Sequence, residues 1–258
     1  MKSALKKIYL WLIFFFLYAP ILVLILFSFN ASRSRGNWGG FSVKWYIELF
    51  HDKAIMSALG NTVLIAVVSS LIAVVLGTVA AIGIHNLKGW KKNMIINVTY
   101  LPILNPDIVT GISMMLLFIA VNVPRGLLSM IIAHITFGMP YVVISVLPKL
   151  AQLDPQVYDA ALDLGATPRE AYTKVILPQV MPGIFTGFLL AFTMSVDDFV
   201  VSFFVTGNGV SNLAISIYSM ARRGINPKIN AVLTLLFAAV VALMYIIQKR
   251  FRKSALDI

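Results

Sequence analysis

The sequence contains no cysteine, and only 12% of its 258 residues are charged. The absence of cysteine excludes disulfide bonds, thiol catalysis and metal sites built on cysteine ligands. Charged residues make up about 25% of a typical soluble domain, so this low fraction argues against a soluble protein. Hydrophobic residues make up 59% of the chain, and the mean hydropathy is +0.89. The composition therefore indicates an integral membrane protein.

The hydrophobic residues are gathered into long runs that are suited to cross a bilayer. The first run, residues 8–29, carries no charge, and a spanning helix needs roughly 20 apolar residues. Lysines precede this run as in a signal peptide, but the run is longer than a typical signal core and no small-residue cleavage site follows. We therefore expect an uncleaved first span and six spans in all. They are residues 8–29, 56–84, 94–121, 127–147, 183–205 and 231–247.

These spans predict an all-α fold, with one polytopic transmembrane domain over residues 1–258. Lysine and arginine collect on the cytoplasmic side of membrane proteins. With the N-terminus inside, the predicted cytoplasmic segments hold thirteen of the 21 basic residues and the opposite side holds eight. This asymmetry predicts that both termini lie in the cytoplasm. It also explains the excess of basic residues without a nucleic-acid partner.

The segment from about 149 to 182 is the largest predicted cytoplasmic segment. Asp154 and Pro155 suit the N-cap and first position of a helix, and Gly165 suits its C-terminal stop. Residues 167–170, Thr-Pro-Arg-Glu, supply a second N-cap with a capping box, and Pro178 is expected to end this second helix. The pattern predicts a helix–glycine–helix unit outside the membrane, which we call the hairpin.

The stretch DAALDLGATPREAYTKVILP within the hairpin resembles the cytoplasmic loop signature of ABC importer permeases. That signature reads Glu-Ala-Ala, three residues, Gly, nine residues, Ile, one residue, Leu-Pro. Aspartate replaces the glutamate and valine replaces the isoleucine, which retains the charge and the branching. The matching positions are Asp159, Ala160, Ala161, Gly165, Val175, Leu177 and Pro178.

This resemblance implies that the hairpin docks onto an ATPase partner through Asp159, Ala160, Ala161, Gly165, Leu177 and Pro178. The small side chains of Ala160 and Ala161 would let the short helix approach a groove closely, and Gly165 permits the turn. The alternative is an interfacial amphipathic hairpin with no partner.

Four further stretches are similar to the permeases for polyamines, spermidine and putrescine, within that superfamily. They are LPILNPDIVTGISMMLLF, AHITFGMPYVVISVLPKL, PGIFTGFLLAFTMSVDDFVVSFFVTG and IYSMARRGINPKINA. The resemblance implies a second permease subunit in a heterodimer, two cytoplasmic ATPase subunits and an extracytoplasmic substrate-binding protein. It also implies a location in a bacterial inner membrane, ATP and magnesium bound to the ATPase partners, and no cofactor in this chain.

Three carboxylates lie within the predicted spans, at Asp107, Asp197 and Asp198, and the spans contain no lysine or arginine to pair with them. Ionisable groups in spans are costly and are functional candidates by default. Asp198 shares a helical stripe with Ser202, and carboxylates would attract a cationic cargo. We therefore expect a substrate pathway at Asp107, Asp197, Asp198 and Ser202. Alternatively, Asp107 complements the positive end of a helix restarted after Asn105-Pro106, and the Asp197–Asp198 pair fixes span packing or a gate.

Two other features predict how the chain packs. Gly183 and Gly187 form a small-xxx-small pair, which favours close helix contact. Trp38, Trp45 and Tyr46 in the loop after the first span predict an aromatic-anchored interfacial helix.

The remaining residues give no sign of an enzyme. The three histidines, His51, His85 and His134, have no metal-site spacing and favour interface or packing roles. The sequence shows no phosphate loop and no catalytic constellation. The chain is thus predicted to be the permease subunit of an ATP-driven polyamine importer. The alternatives are a permease for another cargo, such as ferric ion, and a self-sufficient channel or secondary carrier.

Overall fold

A computed structural model of the chain describes residues 2–33, 37–222 and 227–254, with side chains described for 6–33, 37–222 and 227–242. In this part of the chain every regular element is helical, and the isolated bridge found there joins Asn30 to Phe41. The all-α prediction is confirmed.

The helices run along the chain with short connections, and a π-helical stretch, Ala171–Ile176, joins two of them. In order they are α1 (Lys2–Ser28), α2 (Lys44–Phe50), α3 (Lys53–Asn86), α4 (Gly89–Leu104), α5 (Asp107–Ala120), α6 (Leu127–Ala151), α7 (Gln156–Asp163), α8 (Pro168–Glu170), α9 (Leu177–Asp197), α10 (Val200–Val205), α11 (Leu213–Arg222) and α12 (Pro227–Ser254).

The helices of the described residues are consistent with the predicted membrane spans. Four segments are long and apolar enough to cross: Lys6–Ser28, Lys53–Asn86, Leu127–Ala151 and Pro168–Asp197. Helices α4 and α5 pass the same test only as a pair, and they are bent by 103°. The last predicted span lies in α12, whose described apolar part is Pro227–Ala242. The described residues therefore give four candidate spans, or five with the bent pair, and α12 covers the sixth predicted span.

The bend between α4 and α5 has a local cause. Proline disfavours helical backbone at the residue before it, and Asn105, which precedes Pro106, is extended with ψ 142°. Helix α5 then starts at Asp107, which lies in its first turn. A restarted helix at this point agrees with the sequence pattern, and it places a carboxylate at the break.

The chain divides into two compact units, and the first comprises residues 1–56 and 217–258. Within it, α12 contacts α1 and α2. Trp45 is 2% exposed and its indole Nε1 donates to the Asn30 carbonyl at 2.7 Å. Lys228 pairs with Asp52 at 3.3 Å. The predicted helix after the first span is present as α2, but Trp45 anchors it to protein instead of lipid.

The second unit, residues 57–216, is built around the contact of α6 with α9. A Cβ added at Gly187 would lie 3.0 Å from the Val142 Cα, and one at Gly183 would lie 2.8 Å from the Ser145 carbonyl oxygen. Both glycines therefore permit the close approach of α9 to α6. This confirms the small-xxx-small prediction.

Replacing Gly187 with isoleucine is expected to push α9 away from α6. Overpacking a tight contact costs about 1–3 kcal/mol, because the nearest atom, the Val142 Cα, belongs to the backbone and cannot rotate away. Thermal unfolding of the purified protein measures the effect. Gly83→Ile is the matched control, since a Cβ at Gly83 meets nothing within 4 Å. Equal melting temperatures for the two variants would contradict the packing described.

The hairpin forms with the predicted caps. An Asp154 carboxylate oxygen accepts from the Gln156 N–H at 2.9 Å ahead of α7, and Gly165 has φ +86° after it. Thr167 and Glu170 make a reciprocal capping box, with the Glu170 N–H to the Thr167 hydroxyl at 3.3 Å and the Thr167 N–H to the Glu170 carboxylate at 3.1 Å. The local sequence is sufficient to specify both helix starts.

The second helix of the hairpin does not end at Pro178, so this prediction is wrong. The helical path runs on through α8, the π-helical stretch and α9 as far as Asp197. Pro178 is the second residue of α9 and directly follows the π-helical stretch. The π-helical turns before it are wider than α-helical turns. As a result, the hairpin is continuous with a membrane span.

Candidate functional site: an acidic cavity and an exposed hairpin

A cavity of about 190 Å³ in the second unit brings the three predicted aspartates together. Asp107 comes from the start of α5, and Asp197 and Asp198 come from the end of α9. Its wall is formed by Pro102, Asp107, Thr110, Phe137, Tyr141, Met194, Asp197, Asp198, Phe199, Val200 and Val201. No lysine, arginine or histidine belongs to this described lining.

Two helix breaks place the carboxylates in the cavity. One is the bend between α4 and α5, and the other lies between α9 and α10, where Asp198 has φ −66° and ψ 118°. Broken helices near mid-span are a common feature of transporter sites, because their irregular backbone can line a polar cavity. The arrangement places negative charge on the inner side of otherwise apolar helices.

Asp107 and Asp197 are exposed, and in the described part of the chain neither makes a hydrogen bond or an ion pair. Phe137, Tyr141 and Phe199 share the cavity wall with them. Aromatic faces attract cations within about 6 Å of the ring. Unpaired carboxylates beside aromatic rings suit an organic cation with apolar segments between its charges.

Asp198 is held much more firmly than the other two aspartates, and its side chain is only 8% exposed. Its Oδ1 accepts from the Val201 N–H at 3.1 Å, and its Oδ2 accepts from the Ser202 N–H at 2.7 Å. These bonds cap the start of α10. His134 also approaches the carboxylate, and its Nε2 lies 3.4 Å from Oδ2.

His134 is the residue that sequence reasoning missed, since its isolation in the sequence favours a packing role. The structure buries it to 2% exposure on α6. Its Nδ1 lies 2.6 Å from the Ser195 hydroxyl and its Nε2 lies 3.0 Å from the Ser202 hydroxyl. One signal was available: Phe137 and Tyr141 follow at helical spacing, so the cavity side of α6 carries His134 at its edge.

Ser202 lies behind the carboxylate of Asp198 and not on the cavity wall. It is fully buried, and its hydroxyl accepts from the Asn212 side-chain amide at 2.8 Å. Its predicted place in the substrate pathway thus corresponds, in the structure, to a supporting position. The helical stripe shared by Asp198 and Ser202 predicts their proximity but not which of them faces the cavity.

The hairpin presents part of its predicted docking set to solvent. Asp159, Ala160, Gly165 and Pro178 are exposed, whereas Ala161 is 7% exposed and Leu177 packs on the core of the second unit. Leu164, outside the family signature, is 89% exposed at the end of α7. An exposed leucine beside the small Ala160 gives the hairpin an apolar contact surface.

Side chains from both helices of the hairpin pack against the rest of the second unit. The rings of Tyr158 and Tyr172 are 5.1 Å apart, and the Asn86 side-chain amide donates to the Tyr172 hydroxyl at 2.9 Å. Tyr158 and Tyr172 also pack against the core that includes Val146 and Val180. The hairpin therefore contacts a core to which α6 and α9 contribute, and both of these helices also line the cavity.

A family model described as the inner membrane component of binding-protein-dependent transport systems matches residues 73–256, well over half of the chain. The chain belongs to this family. The match includes the hairpin and all three cavity aspartates. The permease is accordingly a component of a membrane transport system and not an enzyme.

Similar proteins support this assignment along nearly the whole permease. The putrescine transport system permease protein PotI of Escherichia coli (strain K12) is 40% identical over 246 residues, covering 93% of this chain and 88% of PotI. The spermidine/putrescine transport system permease protein PotC of Haemophilus influenzae is 34% identical over 250 residues, covering 97% of each chain. Both are named as permease subunits.

The fold is also that of known importer permeases. The crystal structure of a bacterial ABC transporter involved in the import of the acidic polysaccharide alginate matches with a TM-score of 0.77. The match covers 96% of this permease and 95% of that chain, at 12% identity. It confirms the ABC importer permease fold, and at this identity it carries no information on cargo.

Proposed function

We propose that this permease translocates polyamines of the putrescine and spermidine type in an ATP-driven importer. The observation that carries the proposal is the convergence of Asp107, Asp197 and Asp198 on one cavity whose described lining has no basic residue. Relatives that match most of the chain are named for putrescine and spermidine.

The chemistry of the cavity fits a flexible polyammonium ion. Asp107 and Asp197, whose carboxylates have no partner among the described residues, can each meet an ammonium group. At partial burial this attraction exceeds that in bulk water. The rings of Phe137, Tyr141 and Phe199 can contact the methylene segments between the charges. An anionic cargo would be repelled by all three aspartates.

The exposed hairpin suggests where the other subunits of the importer would bind. We propose that it docks on a cytoplasmic ATPase through Asp159, Ala160 and the exposed Leu164, with both termini on the same side. Two such ATPases would hold ATP and magnesium, a second permease would complete the pathway, and an extracytoplasmic binding protein would deliver the cargo. This chain would need no cofactor of its own.

Coupling would run through α6 and α9. Closure of the ATPases on ATP moves the hairpin, and the hairpin is continuous with α9 and packed on α6. Since α9 ends at Asp197 and α6 carries Phe137 and Tyr141, the same movement reshapes the acidic cavity. Alternating access then requires no covalent chemistry in the permease.

Uptake into vesicles that contain the complete transporter tests the proposed cargo. With binding protein outside and ATP inside, labelled putrescine or spermidine is expected to accumulate, while ferric ion is not. Uptake without ATP would favour a self-sufficient carrier or channel. Uptake of ferric ion but not of polyamines would identify a permease for a different cargo and contradict the proposal.

A further inference from the structure

Asp198 is unlike the other two cavity carboxylates because its orientation is fixed by surrounding donors. The Val201 and Ser202 N–H groups each bind one of its oxygens, and His134 approaches the oxygen that Ser202 binds. Asp107 and Asp197 have no such bonds in the described residues. The carboxylate therefore presents only its remaining free edge to the cavity, and the Asp198 side chain as a whole is 8% exposed.

His134 is itself fixed from its far side. Its Nδ1 meets the Ser195 hydroxyl at 2.6 Å, and that hydroxyl lies 3.4 Å from the hydroxyl of Ser69 on α3. Its ring edge meets Phe137, with centroids 5.2 Å apart. Phe137 lines the cavity and His134 does not, so the imidazole forms a layer behind the wall.

Asn212 fixes the same network from the loop before α11. Its side-chain amide donates to the Ser202 hydroxyl at 2.8 Å and to the Asp198 carbonyl at 3.2 Å, and its Oδ1 accepts from the Ile215 N–H at 2.9 Å. The network thus joins α6, the α9–α10 break and the start of α11, all within the second unit.

The partners determine the proton arrangement on the imidazole. An ionised carboxylate can only accept, and Nε2 faces both the Asp198 Oδ2 and the Ser202 hydroxyl oxygen. Nε2 therefore carries a proton that it directs toward these two oxygens. In the neutral ring Nδ1 is then an acceptor, which the Ser195 hydroxyl satisfies as donor.

We propose that His134 is a positioning residue for cargo, which fixes the Asp198 carboxylate and the α9–α10 break in the geometry that receives an ammonium group. The inference rests on the proposed cation transport. A pre-oriented carboxylate needs little rearrangement when the cargo arrives. Without the imidazole, Asp198 keeps its charge and its bonds to the Val201 and Ser202 N–H groups but loses the contact that holds Oδ2 from α6. The carboxylate is then less well oriented for the ammonium group, so that ATP-driven cycles move less cargo.

Replacing His134 with phenylalanine removes its polar contacts with Ser195, Ser202 and Asp198 while keeping an aromatic ring. The assay uses vesicles with the complete transporter and saturating spermidine-loaded binding protein, and it measures the ratio of spermidine moved to ATP hydrolysed. We expect this ratio to fall roughly tenfold, because one hydrogen bond to a charged group is lost. His134→Gln, which keeps a side-chain N–H, should restore part of the ratio. Met130→Leu, a buried swap one turn earlier on α6, should leave it unchanged.

Ser195→Ala offers a milder test that does not depend on the folding of His134→Phe. It removes the hydrogen bond between the Ser195 hydroxyl and the His134 Nδ1. The spermidine moved per ATP hydrolysed should fall by a smaller factor than in His134→Phe, and the amount of assembled transporter should not change. A role in stability alone would reduce assembled transporter, uptake and ATP hydrolysis together and leave the ratio constant. A constant ratio in Ser195→Ala and His134→Phe would overturn the proposal.

A double-variant cycle separates this inference from the proposed function. If His134 acts through Asp198, adding His134→Phe to Asp198→Asn should lower the ratio no further, because coupled residues are non-additive. Fully additive losses would overturn the positioning role while leaving cation transport intact. If Asp198→Asn alone does not change the ratio, the proposed cation site is wrong at Asp198, and the inference falls with it.

Discussion

Asp198→Asn should lower the polyamine moved per ATP hydrolysed at least about tenfold, while binding-protein stimulation of ATP hydrolysis is retained. The substitution preserves size but removes one of three cavity charges, and an ion pair at partial burial is worth more than the 1.4 kcal/mol that a tenfold change represents. Reconstituted vesicles, in which uptake and phosphate release are followed together, measure both quantities.

The same variant carries a structural cost that has to be separated from the loss of charge. An asparagine can accept only at its single Oδ1, whereas Asp198 accepts from both the Val201 and Ser202 N–H groups. Asp197→Asn is the matched control, because Asp197 is exposed and makes no hydrogen bond in the described residues. Lower uptake with an unchanged melting temperature in Asp197→Asn would isolate the charge. Wild-type uptake in both variants would remove the pair from the cargo pathway.

Ala160→Trp should abolish the stimulation of ATP hydrolysis by loaded binding protein and reduce uptake to background. Ala160 is exposed on α7 beside Leu164, and a groove shaped for a methyl group cannot accept an indole. The cavity is untouched by this change, so the loss would arise at the ATPase contact. The readouts are ATP hydrolysis with and without binding protein, and the ATPase retained through purification.

Two control variants test whether the Ala160→Trp effect depends on the size and the position of the new side chain. Ala160→Ser adds one oxygen and should behave as wild type. Ala54→Trp adds the same bulk at an exposed position at the start of α3, outside the hairpin, and should leave coupling intact. If the Ala160→Trp transporter couples ATP hydrolysis to uptake normally, the hairpin is not the docking element.

The two groups of variants distinguish the role of the cavity from the role of the hairpin in the transporter. Changes at the cavity are expected to lower cargo per ATP and spare the response to binding protein. Changes at the hairpin are expected to remove that response. The distinction follows from the fold, in which α6 and α9 connect two sites that otherwise share no side chain.

Much of the hairpin could be predicted because its signals are local. Asp154 and the Thr167–Glu170 pair bond backbone N–H groups within three residues of themselves, and Gly165 adopts the turn conformation on its own. Because these interactions are local, their spacing in the sequence is enough to predict where the helices start and end. The effect of Pro178 could not be predicted in the same way. Whether a proline ends a helix depends on the turn before it, and here the preceding turns are π-helical.

The three aspartates of the acidic cavity could be predicted from the sequence, but the residues that hold Asp198 in place could not. Charge inside apolar spans identifies Asp107, Asp197 and Asp198 without any knowledge of packing. His134 and Asn212 lie 64 and 14 residues from Asp198, and only the packing of α6 and the return of the chain before α11 bring them to it. The placement of Ser202 behind the carboxylate depends on how α10 turns after the break.

The most direct test of the acidic cavity is the equilibrium binding of labelled spermidine to the purified transporter without binding protein. The key comparison is between the wild type and the Asp107→Asn, Asp197→Asn double variant, because both residues are exposed and the exchange disturbs no hydrogen bond of the described residues. The account predicts binding that weakens roughly hundredfold in the double variant, and that weakens with added salt in the wild type. Equal spermidine affinity in the two proteins would contradict it.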